Sequence, residues 1–211
     1  MEKTYKYLGY FMLILIPLIF AGFYKTYIKQ IPNFSENINS YIHLHAFIAT
    51  IWISMLIAQP FFILNKKFAL HRTIGKLSYV VFPLLILSFV PQMIRIVHSE
   101  NPENLFYPLA DCILLIVFYS LAIYNRKTRS KHMRYMIATA IVFLGPTIGR
   151  IGPNLLGWSG IFTQNVQYGI IYLILLSLIL YDRNNRKKYN PYLITLACFA
   201  IHQVVFYLVF L

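Results

Sequence analysis

Seven apolar stretches, separated by short polar breaks, divide this chain of 211 residues. They run over residues 7–24, 41–64, 73–97, 105–124, 132–151, 162–181 and 191–211. A bilayer core takes about 20 apolar residues of helix. Backbone polar groups in lipid must be satisfied within the segment, so such stretches are helices. The pattern therefore predicts an all-α integral membrane helical bundle. It has about seven transmembrane helices and forms a single transmembrane domain over 1–211.

The breaks are too short for a soluble domain. The longest lies between the first two stretches and holds Pro32, Asn33 and Ser35. A second, near Ser99 to Asn104, is acidic through Glu100 and Glu103. Gly152-Pro153-Asn154 interrupts the chain after the fifth stretch, and Trp158 follows as an interfacial anchor. Tyr7, Tyr24, Tyr41, Tyr107, Tyr124 and Tyr181 stand near segment ends, where an aromatic belt places them.

Charge adds an orientation. The basic residues cluster in alternate connections, which lie on one side of a membrane. These clusters are Lys66, Lys67, Arg72 and Lys76; Arg126, Lys127, Arg129, Lys131 and Arg134; and Arg183, Arg186, Lys187 and Lys188. Lys3 and Lys6 fall on the same side, and the other side holds only Lys25, Lys29, Arg95 and Arg150. The positive-inside rule then puts the N-terminus in the cytoplasm of a multi-pass inner (plasma) membrane protein. The same placement reads the net charge of +13 as contact with anionic lipid headgroups, not nucleic acid. Hydrophobic residues at 59% and charged residues at 12% exclude an ordinary soluble domain. Lys3 and Lys6 before an apolar run resemble a signal peptide, but Ala21-Gly22 runs straight into Phe23-Tyr24-Lys25, so the expectation is a retained span.

Chemistry-bearing motifs are scarce. Cys112 and Cys198 sit inside apolar stretches and read as small buried residues. The sequence has no Cys-x-x-Cys, no phosphate-binding glycine loop and no His-Glu-x-x-His, and no metal site is expected. Attention therefore falls on polar groups inside the spans, which are expensive in a membrane and turn toward a bundle interior or a cavity.

In the second span, His43 and His45 point about 200° apart on a helix. His45 heads a stripe through Ala49, Trp52, Leu56 and Gln59, so it is expected inward and His43 at the headgroups. The third span carries Ser78, Ser88, Gln92 and Arg95 on one broad face. The fifth aligns His132, Met136, Thr139, Thr147 and Arg150, with Gly145-Pro146 as a predicted kink. Asp111 lies inside the fourth span, and Arg95 and Arg150 are its expected partners. His202 lies near the middle of the last span. Two groups result. The outer, ligand-binding candidates are His45, Gln92, Arg95, Asp111 and Arg150, with His202 deeper. The inner candidates, for a headgroup or haem, are His71, Arg72, His132 and Arg134.

The turn Ile63-Leu64-Asn65-Lys66-Lys67, followed by His71-Arg72, is echoed by Ile123-Tyr124-Asn125-Arg126-Lys127, followed by His132-Met133-Arg134. Duplicated hairpins and convergence of two cytoplasmic turns both account for the echo. The run from His43-Leu44-His45 through Gln59 to Leu70-His71-Arg72-Thr73-Ile74-Gly75-Lys76-Leu77-Ser78-Tyr79 resembles an uncharacterised family of bacterial integral membrane proteins. So does His132-Met133-Arg134-Tyr135-Met136 running to Arg150. The likeness covers about 41–151. It implies a helical membrane fold and the positions His45, His71, Arg72, Gly75, His132, Met136 and Arg150, with no activity attached.

Three functions fit these residues. The outer group suits an intramembrane cavity for a small ligand or transported solute. The histidines suit a bis-histidine b-type haem in a redox protein. The inner group suits an enzyme acting on lipid headgroups, and an accessory or assembly role needs no chemistry at all.

Overall fold

The computed structural model describes residues 5–34 and 38–211. Lys3 and Ser35 lie outside them. Among the described residues the chain is helical, without strands. The helices are α1 (Leu8–Met12), α2 (Leu15–Tyr24), α3 (Ser40–Leu64), α4 (Phe68–Val97) and α5 (Phe106–Tyr124), then α6 (Arg129–Val142), α7 (Leu144–Ile151), α8 (Gly160–Asn184) and α9 (Asn190–Phe210). Six helical stretches are long and apolar enough to cross a membrane: α3, α4, 102–124 including α5, 129–156 including α6 and α7, α8, and α9. This is a multi-pass membrane bundle.

The first apolar stretch departs from the expected seven. It is a shorter apolar helical segment, Leu8–Tyr24, divided between α1 and α2. The cause is Pro17. It has no N–H to give the carbonyl of Leu13 four residues back, and Ile16 N–H takes that carbonyl in a tight turn instead, at 3.0 Å. The same chemistry divides the fifth span. Pro146 cannot bond Val142, and the helix breaks at Phe143, whose N–H turns to Ala140 O at 3.2 Å. A single π turn, Gly152–Leu156, then closes on Gly157 at φ +69°, a backbone conformation suited to glycine.

The divided fifth span is the centre of the bundle. Of its most apolar window 72% is buried, against 22–39% for the other five spans. Of the residues expected on its polar face, His132, Met136 and Arg150 are part-buried. Thr139 and Thr147 are fully buried, and their hydroxyls donate to backbone carbonyls of their own helices, Met136 O and Phe143 O. Around this axis, α3 pairs most extensively with α4, and α5 with α6. Helix α2 packs on α7 where Gly22 lies: a Cβ there would sit 2.9 Å from Thr147 O. Such close backbone approach through small residues is how helices associate in lipid.

The lysine-rich connections share one turn. Asn65, Asn125 and Asn185 each end a helix with φ between −87° and −90° and ψ between 11° and 14°. Each side-chain amide donates back to the carbonyl four residues earlier, at 2.9, 2.8 and 2.8 Å. The echo visible in two turns thus extends to a third, at equal spacing. The physical reason is common to all three: a helix end leaves carbonyls unpaired, and an asparagine satisfies one.

Candidate functional site

Two buried polar clusters stand at opposite ends of the bundle. The first is at the lysine-rich end. Arg134, near the start of α6, and Asp182, near the end of α8, are both fully buried. Arg134 Nε donates to Asp182 Oδ2 at 2.6 Å, and Nη2 to Oδ1 at 2.7 Å. Arg134 Nη1 donates to Ser130 O at 2.9 Å and also to Ser130 Oγ. Tyr5 Oη donates to Asp182 Oδ1 at 2.9 Å and accepts from Tyr192 Oη at 3.1 Å. Burial, with Asp182 beside it, raises the Tyr5 phenol above its ordinary pKa, so it stays a donor. The rings of Tyr5 and Tyr192 also flank the guanidinium, at 5.1 and 5.9 Å.

This arrangement corrects the inner group. Arg134 is committed to a two-pronged ion pair and is not presented to a headgroup or a haem. Its partner Asp182 is 48 residues away in sequence. Of the other inner candidates, Arg72 is exposed. His132 Nδ1 donates to Ala122 O at 2.8 Å. The Gln59 amide nitrogen donates to His71 O at 3.3 Å.

The second cluster is buried toward the far end. Asp111 on α5 faces His202 on α9, with Oδ1 4.0 Å from Nε2. That is too long for a hydrogen bond. On the other side of the imidazole, His202 Nδ1 shares a 2.7 Å hydrogen bond with Tyr168 Oη from α8. Gln167, also on α8, is buried, and neither its Oε1 nor His202 Nε2 has a partner. Helix α7 supplies the floor. A Cβ on Gly145 would stand 3.3 Å from both Asp111 oxygens and 3.5 Å from Gln167 Nε2; one on Gly149 would stand 3.7 Å from Gln167 Oε1. The two glycines, four residues apart, share a helix face and let polar side chains of α5 and α8 lie directly on the α7 backbone.

The six outer candidates do not form one site. Asp111 and His202 meet. Arg150 lies within electrostatic range of both Asp111 and His45, but it donates to Pro146 O at 2.8 Å and packs 4.5 Å over the Phe23 ring. The expected Asp111–arginine contact is therefore not a direct ion pair. His45 turns to α4, where Nδ1 and Ser88 Oγ share a 2.8 Å hydrogen bond. Gln92 and Arg95 instead line a separate cavity of about 50 Å³ with Asn39, Tyr41 and Ile42. His43 shares a 2.7 Å hydrogen bond with Tyr27 Oη.

Haem would need two imidazoles facing across an open slot. The His45 ring packs edge-on to Phe89 at 4.4 Å, and His202 edge-on to Phe106 at 4.8 Å. An aromatic ring thus packs against each of these two imidazoles. Among the described residues, no three His, Cys, Asp or Glu side chains gather as a metal site. Compared with protein-family models, curated proteins and solved structures, the chain finds no match.

Sequence reasoning missed Gln167 and Tyr168. The signal was present: Thr163, Gln164, Gln167 and Tyr168 form a polar run at helical spacing inside the sixth span. Gly145-x-x-x-Gly149 was equally visible as a small-residue packing face.

Proposed function

We propose that this membrane protein binds a small hydrogen-donating solute or cation within the bundle, in exchange with a proton, at Asp111, Gln167 and His202. One observation carries the reading. Side chains from three helices converge on one spot, and two of their buried polar atoms, Gln167 Oε1 and His202 Nε2, lack partners. An unpaired buried polar atom costs about 1–3 kcal/mol. These two belong to side chains that meet at a carboxylate inside a span, which Thr26, Trp52 and Gln92, the other described residues with such atoms, do not.

The chemistry follows from the donors and acceptors. Ionised Asp111 only accepts hydrogen bonds; protonated, it also donates. Tyr168 Oη and His202 Nδ1 can exchange donor and acceptor roles. When the phenol donates, Nε2 carries the hydrogen and faces Asp111. When Nδ1 donates, Nε2 becomes an acceptor. The tautomer sets whether Nε2 turns a donor or an acceptor toward Asp111, and the proton that Asp111 takes up or gives back is exchanged with the bound solute or the aqueous phase, the Tyr168 phenol keeping its own. A solute offering N–H or O–H groups, or a small cation, would satisfy the Asp111 oxygens, with the Gln167 amide nitrogen on the same side and its Oε1 one turn further along α7.

The test is infrared difference spectroscopy on the purified protein between neutral and mildly acidic pH. It is joined to thermal-shift measurements with ammonium, guanidinium and alkali cations at both pH values. A protonated-carboxyl band should appear on acidification and vanish in Asp111→Asn. At least one probe should raise the melting temperature more at neutral pH than at acidic pH. If the band survives in Asp111→Asn and no probe moves the melting temperature, the reading fails.

A further inference from the structure

At the lysine-rich end lies a cavity of about 270 Å³ between the starts of α6 and α9. It is lined by Lys131 and Tyr135 from α6, Lys188 from the preceding turn, and Asn190, Pro191 and Ile194 from α9. Lys131 and Tyr135 are four residues apart, as are Asn190 and Ile194, so each pair shares one helix face.

The lining has two levels. The two ammonium groups and the Asn190 amide are polar and donor-rich. The Tyr135 ring, Pro191 and Ile194 are apolar. No carboxylate lines the cavity. The nearby acid Asp182 is fully buried and engaged by Arg134 and Tyr5, so it does not neutralise the lysines. Tyr135 is only 4% exposed and forms part of the wall. The positive ends of two helix dipoles, from α6 and the 21-residue α9, lie at the same spot.

We infer that this cavity is a phosphate-binding site, held by Lys131 and Lys188 with the Asn190 amide as a hydrogen-bond donor. Lysine serves phosphate as a compact charge with three donors. The source is a phospholipid headgroup, whose glycerol would meet Tyr135, Pro191 and Ile194, or a free phosphate. The site is separate from the Asp111 cluster and does not depend on it.

The experiment uses the delipidated full-length protein in neutral detergent. One arm adds dioleoyl phosphatidic acid in mixed micelles, one adds dioleoyl phosphatidylcholine, and one adds inorganic phosphate. Binding is read by native mass spectrometry and by melting temperature. Phosphatidic acid should bind and stabilise. Lys131→Gln and Lys188→Gln should each weaken binding about five-fold. Ile194→Trp, which keeps both lysines and fills the apolar level, should weaken the lipid without weakening inorganic phosphate. If inorganic phosphate alone stabilises the protein, the ligand is the free ion and the site stands. Lys66→Gln/Lys67→Gln removes two charges from another turn of the same end. If it weakens phosphatidic acid as much as Lys131→Gln/Lys188→Gln, the attraction is diffuse and the site is overturned. Failure of both phosphatidic acid and inorganic phosphate to bind overturns it as well.

Discussion

The two buried polar clusters contain similar groups and treat them in opposite ways. At the lysine-rich end, Asp182 receives two bonds from Arg134 and one from Tyr5, and the Arg134 guanidinium also reaches Ser130. At the far end, Asp111 stands 4.0 Å from His202, and Gln167 Oε1 and His202 Nε2 are unpartnered. The first cluster ties the N-terminal segment, α6, α8 and α9 together, and every bond is internal. The second leaves hydrogen-bonding capacity open among the described residues. Burial of charge is thus not itself a sign of function. What separates a clamp from a site is whether the charge is satisfied by the protein alone.

The sharpest way to break this comparison is to remove one acid from each cluster. Asp182→Asn leaves the Arg134 charge buried and uncompensated, and breaking such a pair costs about 3–5 kcal/mol. Unfolding in detergent should show a large drop in melting temperature or no folded protein. Replacing both Arg134 and Asp182 by apolar residues of similar volume should restore much of the loss, because the penalty is the orphaned charge. If Asp182→Asn is neutral, the pair is not a clamp.

Tyr5→Phe probes the same cluster more gently. It removes a hydrogen bond to a charged acceptor, worth about 1.5–3 kcal/mol, and leaves Tyr192 Oη without its partner. The expected result is a lower melting temperature and earlier proteolysis of the N-terminal segment. Proteolysis unchanged from the parent would show that Tyr5 does not hold that segment.

Gly145→Ala moves the test to the far cluster. The added methyl would stand 3.3 Å from both Asp111 oxygens, tighter than comfortable contact but not a severe clash. The gain in helix propensity, about 1 kcal/mol, works against the displacement of the carboxylate, so a net stability change within about 1 kcal/mol is expected, with a shift of the protonated-carboxyl infrared band. An unshifted band would mean that Asp111 does not rest on α7.

Much of the fold was legible because hydropathy and proline act locally. Six of the seven predicted spans are long enough to cross, and the site of the Pro146 break could be placed from one residue. The first span fell short because Pro17 divides a segment already near the minimum length, and a hydropathy count does not register that loss. The sites were harder to read, because they depend on which helices meet. Asp111 and His202 stood out as ionisable groups inside spans, but their meeting across 91 residues has no periodic signature. Arg134 and Asp182 illustrate the opposite error. Arg134 lies close to a basic turn, so it reads as a headgroup residue, while α8 runs past its apolar stretch and carries Asp182 inward to α6. Charge near a span end does not reveal whether the helix has finished.

Asp111→Asn is the smallest expected effect on stability and the most discriminating. The substitution keeps the shape of the side chain and removes its charge. Asp111 has no ion pair within 4.0 Å except the contact with His202, so no buried cation loses a bonded partner. The cost should fall within about 1 kcal/mol, several times less than for Asp182→Asn. The functional consequence should run the other way. Arg150 would lose the acid in its electrostatic range, and the cluster could no longer take up or release a proton at residue 111. Carboxyl protonation and probe binding should therefore disappear from a protein that still folds. A stability loss equal to that of Asp182→Asn would place Asp111 among the clamps. The unpartnered atoms of Gln167 and His202 would then be packing defects around it.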